Sequence, residues 1–161
     1  MADKREQRLM TAREVIDMFD LEPHPEGGHY RETWRGPAGP DGRSVGTAIY
    51  FLLARGERSA WHRIDAEEVW HWYAGDPLTL TVSEDGIDAR STRLGRRLRE
   101  DELPQAVVPA HAWQMAESLG DWTLVGCTVA PAFDFAGFEM APPGWRPKGD
   151  RRRRRPALGT G

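Results

Sequence analysis

Apolar residues recur at helical spacing only near the start of the chain. Thr11 begins the T-x-x-E pattern of a capping box, and Val15 and Phe19 then fall on one face of the turns that follow. Pro23 lies just beyond and cannot continue a helix. The pattern therefore predicts one short helix over residues 11–20.

From residue 29 onward the apolar period becomes two, which is typical of strands, and Gly, Pro and Asp separate the runs. Strands are predicted over residues 29–35, 47–53, 59–64, 68–73, 78–82, 90–94, 106–108, 112–115, 122–129 and 133–140. One helix followed by eight to ten short strands, without helix–strand alternation, predicts an all-β antiparallel sandwich or barrel.

Length and charge divide the chain into three parts. Its 161 residues suit one domain, which we place at residues 11–145, between a flexible N-terminus (1–10) and a basic, disordered tail (146–161). Residues 1–145 carry 15 Lys and Arg against 24 Asp and Glu, whereas the tail carries seven basic groups and one acid. An acidic body does not attract nucleic acid, so polyanion binding would depend on the run from Arg151 to Arg155.

Several classes of protein are excluded early. No apolar stretch is long enough to span a membrane, and the charged N-terminus has no apolar core of a secretory signal. The single cysteine, Cys127, forms no internal disulfide and no multi-cysteine zinc site, and it is expected to be a small buried hydrophobe. We therefore expect a cytoplasmic protein with no membrane partner.

Four residues stand at fixed intervals in one segment: Gly56, His62, Glu68 and Gly75. This spacing resembles the first signature of the cupin superfamily, G-x5-H-x-H-x3–4-E-x6-G. Ile64 stands where that signature has its second histidine. The segment 109–114 resembles the second signature, P-x-G-x2-H, but has histidine at the glycine position and glutamine at the last position.

A narrower resemblance covers about residues 20–143. Residues 23–28, 30–33, 68–76, 108–110, 113–114, 126–131 and 133–139 resemble cupin family 5, a little-characterised domain of unknown function. The resemblance implies an all-β double-stranded β-helix, the jelly-roll barrel of the rhamnose-pathway epimerases. It also implies a homodimer, because a second subunit commonly covers the barrel edges of this fold.

The resemblance implies a reduced metal site. The superfamily's set of three histidines and one glutamate becomes His62, Glu68 and Gln114 here. An amide oxygen is a weak, hard ligand, better suited to Mg, Ca or Mn than to zinc or iron. A divalent metal is the one cofactor that the resemblance suggests. The remaining histidines near the motifs are expected to be surface or loop residues: His24, His29 and His111.

Without a metal, His62 and Glu68 still form a pair capable of proton transfer. Strand residues two apart share a face, so Trp70 and Trp72 would line the cavity beside Glu68 and raise its pKa. A glutamate with a raised pKa beside a histidine suits an isomerase or epimerase working next to a carbonyl. The metal-free sugar-nucleotide epimerases of the same superfamily provide an analogy of fold.

The candidate ligand-binding residues fall into two groups. Trp70, Trp72 and Trp113 would form a stacking wall for a ring, with Gln114 beside them. Residues 26–31 form either a tight turn or a lid over the pocket. As a lid, the turn would offer Arg31 to an anionic group, such as that of a sugar nucleotide or carboxylate, with Glu26 and Tyr30 beside it.

Three functions remain open at this point. The first is an enzyme that binds a small polar organic molecule and uses His62 and Glu68 for proton transfer. The second is a metal-dependent enzyme using those two residues and Gln114. The third is a non-catalytic binding protein, whose arginine tail engages a polyanion.

Overall fold

The computed structural model describes residues 10–149. In chain order the elements are α1 (Ala12–Phe19), β1 (Glu22–Pro23), β2 (His29–Arg35), β3 (Thr47–Ala54), β4 (Arg58–Arg63), β5 (Glu67–Gly75), β6 (Leu78–Ser83), β7 (Arg90–Leu94), β8 (Gln105–Val108), β9 (Trp113–Ser118), β10 (Trp122–Ala130) and β11 (Glu139–Met140). Two antiparallel sheets result, with strand orders β1-β2-β3-β10-β5-β8 and β11-β4-β9-β6-β7. The predicted all-β architecture is confirmed.

Helix α1 forms for the predicted reason but ends for another. Both halves of the capping box are present: the backbone N–H of Glu14 donates to Thr11 Oγ1, and that of Thr11 to the Glu14 carboxylate. Asp20 ends the helix in the left-handed conformation (φ 53°), three residues before Pro23. Val15 packs with Leu52 and other apolar residues on the outer face of the six-stranded sheet.

Nine of the ten predicted strands are present, two with the predicted bounds and the others with shifts of at most three residues at their ends. The tenth, over residues 133–140, is wrong for most of its length. Residues Phe135–Gly137 form a 3-10 turn, capped by the Asp134 carboxylate, which accepts from the backbone N–H of Ala136 at 3.0 Å. Only β11 pairs, with the end of β4. The short strand β1 carried no sequence signal.

The core lies between the two sheets. Side chains from both sheets pack in it, including the fully buried Phe51, Trp70 and Leu80. No helix within residues 10–149 is long and apolar enough to cross a membrane.

The start of the predicted basic tail lies against the body. The backbone N–H groups of Lys148 and Gly149 donate to the carbonyls of Gly86 and Ile87. The arginine run and the predicted flexible N-terminus (1–10, apart from Met10) lie outside the described residues.

Candidate active site

A cavity of about 180 Å³ opens at the end of the barrel where β4 ends and β5 begins. Its lining draws on both sheets: His62 comes from β4, Glu68 from β5 and Cys127 from β10. The loop after β10 adds three phenylalanines. The two residues that the motif predicts to act together therefore face one enclosed space, across the barrel from each other.

His62 is paired with Glu26 rather than with Glu68. Its Nε2 lies 2.7 Å from Glu26 Oε2, and both side chains are buried. Its Nδ1 lies 2.7 Å from the carbonyl oxygen of Ala60, and Ser59 Oγ donates to Glu26 Oε2 at 3.0 Å. Both ring nitrogens of His62 thus face acceptors, which is the arrangement that an imidazolium requires.

The turn at residues 24–28 places Glu26 inside the barrel. Its backbone closes twice, from Gly27 N–H to the His24 carbonyl and from His24 N–H to the Gly28 carbonyl. Gly27 has a φ of +106°, and a Cβ there would overlap the backbone carbonyl of Arg58. The glycine is therefore needed for the turn to press against β4, where the Glu26 carbonyl accepts from Ala60 N–H.

The glycine-rich pattern at residues 26–31 predicts Glu26 as a ligand contact in a turn or lid, and it does not predict the pairing with His62. The structure shows a tight turn whose acidic side chain points inward. The available signal was an acid directly before two adjacent glycines, which allow the backbone to approach a strand closely.

Glu68 belongs to a second hydrogen-bonded chain. Gln114 Nε2 donates to Glu68 Oε2 at 2.7 Å, and the Trp70 indole N–H donates to Gln114 Oε1 at 2.9 Å. All three side chains are buried, Gln114 completely. Each end of the amide thus has a partner of the correct polarity.

The hydrogen-bonded set around His62 and the one around Glu68 differ in charge. Burial alone would lower the pKa of His62, but the attraction of Glu26 and its hydrogen bond, with the more distant Glu68, raise it to about 9. Burial likewise acts to raise the pKa of Glu26, but His62 outweighs it and holds that pKa below its usual value. His62 and Glu26 therefore form an ion pair at neutral pH.

Burial raises the pKa of Glu68 to about 7, although the charge of His62 opposes this and that of Glu26 adds to it. The predicted rise in the pKa of Glu68 is confirmed, but its cause is burial in the barrel rather than a tryptophan wall. The neighbouring Cys127 thiol is buried, and burial raises its pKa well above the ordinary value. A thiol in that state is a poor nucleophile.

His24 lies in the cavity, contrary to the expectation of a surface or loop histidine. Its side chain is 5% exposed, and its ring centroid lies 4.5 Å from that of Tyr30. Its Nδ1 accepts from the backbone N–H of Glu26 at 3.1 Å. Burial lowers the pKa of His24 despite the nearby Glu26 carboxylate, so the ring is neutral.

The remaining wall is apolar and aromatic. Ile64 packs with Val129, Phe133 and Phe138, and the ring of Phe138 lies 5.5 Å from that of His62. Phe135 stands at the mouth with 55% of its surface exposed. The residue that replaces the superfamily's second histidine is thus part of a packed apolar cluster.

The predicted tryptophan wall is wrong. Trp70 is buried in the core, 5.9 Å from Phe51, and meets the site only through Gln114. Trp72 donates its indole N–H to the carbonyl of Asp76, near the turn that follows β5. Trp113 lies outside the barrel beneath Arg63, because consecutive strand residues face opposite ways and its neighbour Gln114 faces inward.

The residues of the predicted lid are separated by the same alternation. Tyr30 lines the cavity. Arg31 points to the outer face of the sheet, where it is exposed and its guanidinium carbon lies 5.9 Å from the Tyr50 ring centroid. Arg31 is therefore not in position to hold an anion in the cavity. The only arginine in the described lining is Arg35, at the mouth.

The reduced metal set does not fit a metal ion. Gln114 Oε1 already accepts from Trp70, its amide nitrogen faces Glu68, and Ile64 offers no donor atom. Within residues 10–149, no group of three or more His, Cys, Asp or Glu side chains is arranged to hold a metal. His111 is exposed, with a φ of +66°, which explains why the second signature favours glycine at that position.

The two facing sheets, with the His62 and Glu68 motif at one end of the barrel, define a cupin. The model of the Cupin_5 family, described as a cupin superfamily domain of unknown function (DUF985), matches residues 13–141. The chain belongs to this family, and the resemblance seen in the sequence is confirmed.

Solved structures agree with this assignment. A protein of Shewanella oneidensis is 36% identical over 83% of this chain and 85% of its own, with a TM-score of 0.79. A hypothetical protein from Leishmania major is 34% identical over 82% and 88%, with a TM-score of 0.74. Oxalate decarboxylase from Bacillus subtilis shares only the fold, at 13% identity over 76% of this chain and 30% of its own, with a TM-score of 0.57. No curated protein matches the sequence significantly.

Proposed function

We propose that this chain is an enzyme that moves a proton at a carbon next to a carbonyl group, as an isomerase or epimerase does. The supporting observation is the placement of Glu68, a buried carboxyl that lines the cavity across from a buried ion pair. The pKa of about 7 that burial gives Glu68 is suited to a group that both takes and returns a proton near neutral pH.

In this reaction Glu68, as the carboxylate, removes the proton from the carbon, and negative charge moves onto the carbonyl oxygen. The protonated Glu68 then returns the proton on the same face to the adjacent atom, which is isomerisation, or to the original carbon after the intermediate has turned over in the cavity, which is epimerisation. Every proton and electron pair is accounted for, and no oxidant or reductant is required.

His62 has a different part from the one the motif suggests. Both its nitrogens are held, by Glu26 and by the carbonyl of Ala60, so it supplies fixed positive charge rather than a proton. Because Glu26 balances that charge, the pair offers the forming enolate an oriented dipole whose positive end, the His62 ring, lines the cavity. Gln114 orients Glu68 by donating a hydrogen bond to its Oε2.

Exchange of hydrogen for deuterium tests the proposal before the substrate is known. The full chain is incubated in D2O with ketoses, aldoses, 2-oxo acids and amino ketones, and the C–H signal next to each carbonyl is followed by proton NMR. We expect exchange in at least one compound, slowed about 100-fold or more in Glu68→Gln.

Glu67→Gln is the matched control, because Glu67 is the preceding residue and is exposed. It should exchange at the wild-type rate. Equal rates in wild type and Glu68→Gln, or no exchange with any of these compounds, would contradict the proposal.

A further inference from the structure

The cavity that holds Glu68 has an unbalanced set of charges. Its described lining contains four carboxylates, those of Glu22, Glu26, Glu32 and Glu68, but only one arginine, Arg35. Of its two histidines, His62 is held as a cation by its contacts with Glu26 and Ala60, whereas His24 accepts a backbone N–H at Nδ1. The lining is therefore acidic overall.

Ion pairing accounts for half of these acids. Glu26 pairs with His62 at 2.7 Å, and Glu32 pairs with Arg35 at 2.9 Å. Within residues 10–149, neither Glu22 nor Glu68 forms an ion pair with a cationic side chain at bonding distance. One of these two acids stands at the mouth and the other in the interior, so negative charge spans the depth of the cavity.

Aromatic rings make up much of the remaining wall. Tyr30, Phe133 and Phe138 line the cavity, and Phe135 extends it at the mouth. The faces of such rings carry partial negative charge and attract cations. The ring of Tyr30 also lies close enough to Glu22 and Glu32 that, besides burial, their charges raise the pKa of its hydroxyl.

The size of the cavity limits the ligand. A protein cavity of about 150 Å³ accommodates benzene. The volume here is about 180 Å³, which therefore holds roughly six to ten non-hydrogen atoms. This volume limits the part of a ligand that lies inside, and a nucleotide extending outward would bring its phosphates to a mouth where Glu22 and Glu32 outnumber Arg35.

We infer that the ligand of this cavity is a small organic ammonium ion with an apolar or aromatic body. The inference rests on the proposed function in taking this cavity as the substrate site, and it narrows the substrate to a small amino-carbonyl compound. Glu22 at the mouth and Glu68 inside both attract the ammonium group, while the rings of Phe133 and Phe138 enclose the body.

Three probes of one shape but different charge test this inference on the wild-type chain: benzylamine, benzyl alcohol and benzoate. Their affinities are measured by isothermal titration calorimetry at pH 7.5. We expect benzylammonium to bind about 10-fold more tightly than benzyl alcohol, and benzoate to bind most weakly. The comparison of ligands does not depend on any variant folding correctly.

Variants then locate the preference. Glu22→Gln and Glu68→Gln should each reduce the ratio of benzylammonium to benzyl alcohol affinity several-fold, and Glu67→Gln should leave it unchanged. Equal or tighter binding of benzoate overturns the inference. Binding of none of the three probes at millimolar concentration also overturns it, because an aromatic-walled cavity of this size should hold a benzene ring.

The two proposals fail separately. Preference for the ammonium probe without deuterium exchange in any carbonyl compound would leave the inference standing and contradict the proposed function. Exchange confined to anionic compounds, with no preference for the ammonium probe, would support the proposed function and contradict the inference about the ligand.

Discussion

The cavity contains two ion pairs of similar length in opposite surroundings. Glu26 and His62 are 2.7 Å apart with side chains 7% and 3% exposed, whereas Arg35 and Glu32 are 2.9 Å apart with side chains 50% and 39% exposed. Removing one partner of a buried pair leaves an uncompensated charge out of water, while an exposed pair is replaced by solvent. The interior pair is thus a fixed part of the site, and the mouth pair can rearrange around a ligand.

The largest effect is expected from Glu26→Gln, which keeps the shape of the side chain but removes its charge. His62 then loses its counter-ion, and we expect the free energy of unfolding to fall by about 3–5 kcal/mol at pH 6. Urea unfolding measures this. The difference from wild type should shrink as the pH rises from 6.5 to about 9, because the contribution of the His62 proton to wild-type stability is lost over that interval; a difference independent of pH would contradict the pairing.

The pH dependence of stability comes next in size. A group whose pKa is higher in the folded state binds its proton more tightly there, so its contribution to stability declines as the pH rises between the two pKa values. For Glu68 this interval runs from 4.5 to about 7, on the order of 3 kcal/mol, and for His62 from 6.5 to about 9.

Urea unfolding at pH 5, 7 and 9 should therefore show wild-type stability declining across the whole range. In Glu68→Gln the decline between pH 5 and 7 should largely disappear while the decline above pH 7 remains, and Glu67→Gln should follow the wild type. An unchanged slope below pH 7 in Glu68→Gln would mean that Glu68 has an ordinary pKa.

The smallest effect is expected at the mouth. Glu32→Gln should change the free energy of unfolding by less than about 1 kcal/mol, since solvent takes the place of the lost partner of Arg35. The measurement is the same urea titration used for Glu26→Gln. A loss as large as that of the interior variant would show that the mouth pair is as fixed as the buried one.

The sequence predicted the fold well because period and turn residues act locally. The alternation along β2 and β7 gave their bounds without error. It failed in the segment 133–140, where the rings alternate as in a strand but converge on the cavity around a 3-10 turn. Apolar spacing alone does not distinguish a strand from a loop whose rings pack inward.

The site was predicted in part. Motif spacing identified His62 and Glu68, and both lie in the cavity. Strand periodicity predicts which face of the sheet a residue lies on, but not its position along the barrel axis. It therefore predicts Trp70 and Trp72 beside the cavity, whereas the cavity lies near the start of β5, at Glu68. The pairing of Glu26 with His62 joins residues 36 positions apart through a turn, and no local pattern contains it.

The hydrogen bonds from Trp70 through Gln114 to Glu68 join a chromophore to a titrating carboxyl. The amide of Gln114 has one orientation that satisfies both neighbours, so its dipole is aligned along the line between them. Ionisation of Glu68 changes the field along that line and with it the electronic transitions of the indole. The chain has seven tryptophans, so we expect the component of the ultraviolet absorption and emission that is lost in Trp70→Phe to change as Glu68 ionises, without any added label.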